Sequence, residues 1–186
     1  MATSNGPKKA GCAFARRATA AAVAVTVLGL ISGCSEPVAK KEYDVPRALC
    51  GMPVDSGLLS PFLPAGKKVR VVETRPVPSR KLCRVDVDGK WALMANLQWW
   101  EEDVDVSTVV LANPQTDKSA QSTDDDFFYT GSGAVKLVKG CKNRDHTRHL
   151  LYTSVQLSDP DRGDTAAMKK LATAFTEAVG RSDECS

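Results

Sequence analysis

The chain has 186 residues, of which 42% are hydrophobic and 25% are charged. These fractions are ordinary for a globular protein, so they exclude an intrinsically disordered chain and a membrane protein with several spans. The length suits a single folded domain with one core.

The formal net charge of +3 comes from the start of the chain. Lys8, Lys9, Arg16 and Arg17 precede Cys34, and no acidic residue lies among them. Without these four residues the chain carries 21 basic and 22 acidic side chains. Because a nearly neutral domain lacks the basic excess of nucleic-acid-binding proteins, we expect no nucleic acid among its partners.

Residues 1–33 are organised like an export signal. The four cations precede the apolar segment Ala18–Ile31, whose 14 residues fall short of the roughly 20 that a membrane-spanning helix needs. This order predicts a cleaved signal peptide, with an uncleaved anchor or a buried helix as the alternative. The pair Arg16-Arg17 leaves twin-arginine export open beside general secretion.

The segment Leu30-Ile31-Ser32-Gly33-Cys34 resembles the lipobox of bacterial lipoproteins. The resemblance implies cleavage between Gly33 and Cys34 and attachment of a diacylglycerol to Cys34. Two acyl chains hold a protein stably on a membrane, whereas one binds reversibly. We therefore expect a lipid-anchored protein on the extracytoplasmic face of the cell membrane, with residues 34–46 as a tether and residues 47–186 as the domain.

The first half of that domain predicts a short helix and three strands. Asp55 or Ser56 can cap a helix that ends before Pro64. The β-branched run from Val69 to Val77 predicts a strand. The next two runs, 82–87 and 90–100, flank Asp88-Gly89, which is typical of a β-hairpin with a type I′ turn.

The second half predicts a helix at 165–180, where apolar residues lie on one face. The spacing of the valines and a cap at Asp105 favour a helix at 104–112 as well, with a strand as the alternative because the segment is rich in β-branched residues. The residue patterns of 127–138 and 150–157 predict strands. The polar stretch 113–126 predicts a long mobile loop. The implied fold is α+β, with about five mainly antiparallel strands and the C-terminal helix packed on the sheet.

Of six cysteines, Cys12 lies in the leader and Cys34 in the lipobox. An even number then remains in a chain predicted to be exported, which favours two disulfides. Four cysteines allow three pairings, and closeness along the chain favours the first with the second and the third with the fourth. The four are Cys50, Cys83, Cys141 and Cys185.

Two groups of reactive residues are candidates for a chemical site. Cys141, His146 and His149 have a spacing that suggests metal ligands, but the segment lacks a recognised zinc pattern and Cys141 has a competing disulfide role, so we expect no metal and no cofactor. Ser132 or a carboxylate, with His146 or His149 beside it, would suit an envelope hydrolase. Ser132 lacks the glycine two residues earlier that marks a nucleophile elbow, so an enzyme is only the alternative.

Trp91, Trp99 and Trp100 fall on one predicted strand. Alternation places Trp91 and Trp99 on one face of the sheet and Trp100 on the other. We expect at least one indole near the surface, where it can stack on a sugar or a partner protein. Packing in the core is the alternative, since large aromatic side chains are mostly buried.

The chain as a whole resembles the uncharacterised secreted lipoproteins of high-GC Gram-positive (actinobacterial, streptomycete-type) bacteria. The likeness lies in the alanine-rich leader, the lipobox, the entry at 47–51, Gly140-Cys141 and the C-terminal segment 175–185. It implies an envelope domain with two disulfides and transfers no catalytic residue. We expect a binding or interaction module whose partner is another envelope protein or a cell-wall glycan, with a hydrolase or a purely structural protein as alternatives.

Replacing the predicted lipid-bearing residue tests the anchor. We expect Cys34→Ser to release the protein from the membrane or to stall its processing, because no acyl chains can then be attached. Cell fractionation followed by immunoblotting measures the outcome. Fully processed Cys34→Ser protein that stays in the membrane fraction would contradict the lipoprotein prediction.

Overall fold

A computed structural model describes residues 40–117, 121–124 and 126–186. The predicted leader and lipobox, with Cys34, lie outside the described residues. The described part contains nine β-strands: β1 Ala48–Leu49, β2 Met52–Pro53, β3 Val69–Val77, β4 Arg80–Val87, β5 Lys90–Glu101, β6 Gln121–Asp124, β7 Phe127–Tyr129, β8 Gly133–Leu137 and β9 His149–Leu157. Its α-helices are α1 Ser56–Leu59, α2 Val106–Leu111, α3 Pro114–Asp117 and α4 Thr165–Gly180. None of them is long and apolar enough to cross a bilayer.

Seven strands form one antiparallel sheet in the order β3-β4-β5-β9-β8-β7-β6, and β1 and β2 form a separate pair. The predicted α+β class is confirmed, as is the C-terminal helix on a mainly antiparallel sheet. The sheet has more strands than the five or so expected. The segment predicted as one strand at 127–138 is a hairpin of β7 and β8, and β6 forms within the segment predicted as a loop.

The predicted hairpin of β4 and β5 is confirmed, including its turn. Asp88 has φ 49° and Gly89 has φ 81°, the two positive values that a type I′ turn requires. The Asp88 carboxylate accepts hydrogen bonds from the backbone N–H of Lys67 (3.1 Å) and of Lys68 (2.8 Å). The turn is therefore joined to the loop that precedes β3.

The main core lies between the sheet and α4, as the apolar face of that helix predicted. Met168, Leu171, Phe175 and Val179 are buried there. Burial of each such side chain contributes about 1.5–3 kcal/mol to stability. The helix starts where predicted because the Asp164 carboxylate accepts a hydrogen bond from the N–H of Ala167 at 2.7 Å.

The other face of the sheet is covered by α2, the predicted helix capped by Asp105. Val109 and Val110 of this helix pack in a second apolar cluster with Val135 and Tyr152. This cluster covers only part of the sheet, and polar side chains fill the rest of the space under the helices.

The buried polar side chains beneath α2 are hydrogen-bonded to one another. The amide of Gln98 donates to Asn113 Oδ1 at 3.1 Å and to the Ser154 hydroxyl at 3.0 Å. Gln156 donates to the same Asn113 oxygen at 2.9 Å, and Asn113 itself donates to the carbonyl of Val109 at 2.7 Å. Because buried polar groups are costly when unpaired, these bonds fix the end of α2 over β5 and β9.

The prediction that 113–126 is a loop throughout is wrong, because α3 and β6 lie within it, whereas residues 118–120 and 125 lie outside the described residues. Pro114 occupies the first position of α3, where its missing N–H has no hydrogen bond to lose. An edge strand such as β6 pairs with a neighbour on one side only and needs no alternation of apolar residues. Its polar sequence therefore lacks the pattern by which a strand is predicted.

Ordered contacts begin before the predicted domain start at Arg47. Lys41 forms a β-bridge with Gly66, and its ammonium group donates to the Ser60 carbonyl. Tyr43 donates its hydroxyl proton to the Pro64 carbonyl and packs against the core together with Val45. The part of the expected tether from residue 40 onwards is therefore part of the folded unit.

Both predicted disulfides are confirmed. Cys50 is bonded to Cys83, with Cα atoms 5.6 Å apart, and Cys141 is bonded to Cys185, with Cα atoms 4.8 Å apart. The first joins the β1–β2 connection to β4, and the second joins the segment after β8 to the C-terminus. Bonds that close loops of this size each contribute about 2–4 kcal/mol.

The close packing of α3 on β8 gives a testable prediction. A Cβ atom at Gly133 would lie 2.6 Å from the carbonyl carbon of Gln115, so we expect Gly133→Ala to lower the free energy of unfolding by about 1–3 kcal/mol. Urea denaturation with the disulfides intact measures this. Gly180→Ala is the matched control, since its Cβ would meet Val138 at an ordinary 3.4 Å. Equal destabilisation by both changes would contradict the prediction.

Candidate functional site

A cleft of about 380 Å³ opens at the end of the sheet where the β3–β4 turn meets the C-terminus. We call it the Trp99 cleft. Three parts of the chain build it: the β3–β4 hairpin with the end of β5, the segment between β8 and β9, and the C-terminal turn. Its lining residues are Arg75, Pro78, Arg80, Lys81, Leu97, Trp99, Asn143, Asp145, His146 and Glu184.

Backbone pairing and one disulfide hold these parts together. The N–H of Trp99 donates to the carbonyl of Ser79 in the β3–β4 turn at 2.9 Å. On the other side, the amide of Asn143 donates to the carbonyl of Glu184 at 3.2 Å, next to the Cys141–Cys185 bond. The cleft is therefore a preformed feature of the fold, built on rigid elements.

An aromatic stack lies at the inner wall of the cleft. The rings of Trp99 and His146 are 4.6 Å apart and nearly parallel, at 14°. His149 meets His146 edge-on at 5.5 Å. Trp99 is only 8% exposed, so His146 presents most of the ring surface that reaches the cleft. The two histidines of the chain are thus side by side at this end of the sheet.

The charged groups of the cleft are largely paired with one another. The carboxylate of Glu184 lies 3.0 Å from the ammonium of Lys81 and 3.4 Å from the guanidinium of Arg75. Lys81 also lies 3.6 Å from Glu73. Arg80 contributes a further cation beside its weak contact with Gln98 at 3.5 Å. A ligand entering here meets fixed donors and acceptors of both signs.

The position of His146 changes its affinity for protons. Burial lowers the pKa of His146 below its ordinary value, and the positive charge of a protonated His149 lowers it further. Asp145 and Glu184 act in the opposite direction, and their effect is smaller. The neutral imidazole is therefore favoured, and it can both donate and accept a hydrogen bond.

The three tryptophans, which the sequence offers as candidate ligand contacts, lie in three different environments. Trp91 is 39% exposed near the β4–β5 turn, Trp99 lines the cleft, and Trp100 is half-buried with its N–H donating to Gln98 Oε1 at 3.2 Å. Trp91 and Trp99 are separated by about 26 Å along β5. The pairing of β4 and β5 also shifts register opposite Trp91, which interrupts the alternation on which the prediction depended.

The structure does not bring Ser132 together with either histidine. Ser132 lies beside the end of β9, where its carbonyl accepts a hydrogen bond from the N–H of Leu157. His149 begins the same strand, about 26 Å away. Ser132 and its neighbours instead form the tight turn between β7 and β8, with Thr130 Oγ1 accepting from the N–H of Gly133 at 2.9 Å. A hydrolytic pair of Ser132 with a histidine would require these distant ends to meet.

The candidate metal ligands Cys141, His146 and His149 are not all available in the folded protein. The sulphur of Cys141 is bonded to Cys185 and is not available as a thiolate ligand. Within the described residues, no cluster of three or more histidine, cysteine, aspartate or glutamate side chains could hold a metal ion.

Several lining residues escaped the sequence-based prediction. Arg75, Arg80 and Lys81 look like ordinary surface cations of a hairpin, and only the antiparallel pairing carries them to the Trp99 end of β5. A weaker signal existed for Asn143 and Glu184. Each lies within two residues of a cysteine in the predicted Cys141–Cys185 pair, so that bond already placed them near each other.

Known proteins offer no further guide to this cleft. No family model, no curated protein and no solved structure matches the chain.

The pKa of His146 predicts a pH dependence. The unfolded histidine titrates near ~6.5, whereas the folded one titrates lower, so the unfolded state binds the proton more readily. Above a pH of about 6.5, His146 makes its full contribution to the free energy of unfolding. That contribution is lost as the pH falls from this value towards the lower pKa that His146 has in the folded protein. NMR titration of the His146 ring should give a midpoint below about 6.5. Urea denaturation of His146→Phe, which keeps a ring on Trp99, should show a smaller loss of stability over the same range.

A midpoint for His146 at or above about 6.5 would contradict this prediction. An unchanged pH dependence in His146→Phe would assign the effect to other groups.

Proposed function

We propose that this chain is a lipid-anchored protein of the extracytoplasmic membrane face and that its domain binds an envelope component in the Trp99 cleft. The resemblance of the segment ending at Cys34 to a lipobox supports the anchor. The two disulfides support an oxidising compartment outside the cytoplasm. The likeness to secreted lipoproteins of high-GC Gram-positive bacteria belongs to the same proposal.

The observation that carries the proposal is the distance between the cleft and the point where the tether enters the domain. Residue 40 enters beside Gly66, whose N–H donates to the Lys40 carbonyl at 3.3 Å. Gly66 leads into the loop joined to Asp88, in the turn that precedes β5. Trp99 lies near the other end of β5, about 30 Å further along the strand. Because the tether enters at one end of the domain and the cleft opens at the other, the cleft is well placed to bind a partner that lies away from the membrane surface.

The composition of the cleft favours a glycan as that partner. Sugars present ring C–H groups that pack on aromatic side chains and hydroxyls that bond to planar polar groups. His146 over Trp99 supplies the ring surface, while Asn143, Asp145 and Arg80 supply donors and acceptors. A cell-wall glycan combines these features with the location of the proposed anchor.

Binding to purified cell-wall glycan tests the assignment of the cleft. We expect the chain from residue 34 to sediment with insoluble peptidoglycan, and Arg80→Gln and Asp145→Asn each to weaken binding about tenfold or more. Such changes remove charge-assisted hydrogen bonds, which are worth about 1.5–3 kcal/mol. Lys170→Gln and Glu177→Gln are matched controls, because they make the same charge changes on the exposed side of α4.

Equal weakening by the cleft variants and the α4 controls would overturn the assignment of the cleft. Absence of glycan binding, together with cross-linking of the cleft to an envelope protein in cells, would overturn the glycan class and replace it with a protein partner. The lipid anchor is tested separately by the Cys34→Ser variant.

A further inference from the structure

The end of the domain opposite the Trp99 cleft carries cations around one exposed tryptophan. Lys67, Lys68, Arg70 and Lys90 are exposed there, and Trp91 is 39% exposed, which is unusual for so large an apolar side chain. We call these five residues the basic–aromatic patch.

Hydrogen bonds show that the patch is one continuous region. The Asp88 carboxylate binds the N–H groups of Lys67 and Lys68, and the N–H of Asp88 donates to the Lys68 carbonyl at 2.9 Å. Lys90 and Trp91 follow directly after this turn. A hollow of about 620 Å³ is lined by Lys67, Lys68 and Arg70, and a second hollow, of about 490 Å³, is lined by Lys90 and Trp91.

The local charge of the patch differs from the near-neutral charge of the domain. Together with Lys40, the patch has five exposed basic residues, and the exposed acidic residues beside it are three, Glu42, Asp44 and Asp88. Asp88 is engaged by two backbone N–H groups, and the nearby Asp86 is buried beside Arg84 at 2.8 Å. Arg162, at the edge of the second hollow, is paired with Asp159 at 3.3 Å. A net positive charge therefore faces solvent here.

The same region receives the chain from the proposed anchor. The N–H of Glu42 donates to the Gly66 carbonyl at 2.8 Å, directly before Lys67 and Lys68. Only five residues lie between Cys34 and Lys40, so the six residue steps that join them reach at most about 22 Å. A lipid on Cys34 would hold this end of the domain within that distance of the bilayer.

We propose that the basic–aromatic patch binds the anionic headgroups of the membrane and holds the domain with the Trp99 cleft directed away from the bilayer. This inference rests on the proposed lipid anchor for its biological setting. Lysine and arginine are attracted to anionic lipid, and a tryptophan ring is favoured at the level of the headgroups. The lipid on Cys34 supplies attachment, and the patch supplies orientation.

Vesicle sedimentation with the chain from residue 34 carrying Cys34→Ser tests the patch without the anchor. This chain keeps the whole compact unit Val38–Ser186. We expect binding to vesicles of equal parts phosphatidylcholine and phosphatidylglycerol, no binding to phosphatidylcholine alone, and loss of binding at high salt. Replacing Lys67, Lys68 and Lys90 together by Gln should weaken binding about a hundredfold, at about fivefold for each lysine.

The matched control replaces Lys142, Arg144 and Arg148 by Gln, because these exposed cations give the same change in total charge at the cleft end. It should weaken binding far less than the change in the patch. Equal weakening by both variants, or no binding of the unaltered chain to the anionic vesicles, would overturn the proposal. Thermal unfolding of each variant verifies that it is folded.

Tryptophan fluorescence adds a second readout. Anionic vesicles should shift the emission to shorter wavelength, and Trp91→Phe should abolish the shift, since Trp99 is buried and Trp100 is half-buried in the free protein. A shift that persists in Trp91→Phe would contradict the assignment of the patch. Because this chain carries no lipid, failure of the patch is distinguished from failure of the anchor, which the Cys34→Ser fractionation reports.

Discussion

The structure depends on the pairing of β5 with β4 on one side and β9 on the other. With 12 residues, β5 is the longest of the described strands, and its backbone groups bond to a neighbour along both edges. Leu93 and Leu97 face the core under α4, whereas Gln98 faces the polar network under α2. One end of β5 lies at the tether entry and the other at the Trp99 cleft. The register of this strand against its neighbours therefore determines the positions of both regions.

The Cys141–Cys185 bond has a comparable role for the cleft. Without it, the segment between β8 and β9 and the short C-terminal turn would be two surface pieces with few buried contacts. Joined, they bring His146 over Trp99 and Glu184 to Lys81. A covalent link between pieces far apart in sequence thus replaces the hydrophobic contacts that small peripheral segments cannot supply.

The two ends of the sheet differ in whether their charged side chains are paired within the protein or exposed to solvent. At the cleft, Glu184 is held by Lys81 and Arg75, so most charge is internally compensated and the remaining polar atoms have fixed directions. At the tether entry, Lys67 and Lys68 offer their backbone N–H groups to Asp88 and leave their ammonium groups in solvent. The first arrangement suits a small hydrogen-bonding ligand, and the second suits a broad anionic surface.

Local patterns in the sequence were enough for the elements whose signals are local. The capping carboxylate of Asp105, the Asp88-Gly89 turn and the apolar face of α4 are each encoded within a few residues, and all appear in the structure as predicted. The disulfide pairs followed from closeness along the chain. The sequence alone also supports the expectation of a lipid anchor at Cys34.

Tertiary structure decided which strands become neighbours wherever no turn motif in the sequence marks their pairing. The polar strand β6 is recognisable only through its partner β7, because an edge strand needs no apolar pattern. The register shift opposite Trp91 and the length of β5 separate tryptophans that simple alternation would group. The Trp99 cleft combines residues from positions 75 to 184. Closeness along the chain favoured the Cys141–Cys185 bond, but the meeting of that bonded region with the Trp99 end of β5 depends on the pairing of β5 with β9, which no short stretch of sequence encodes.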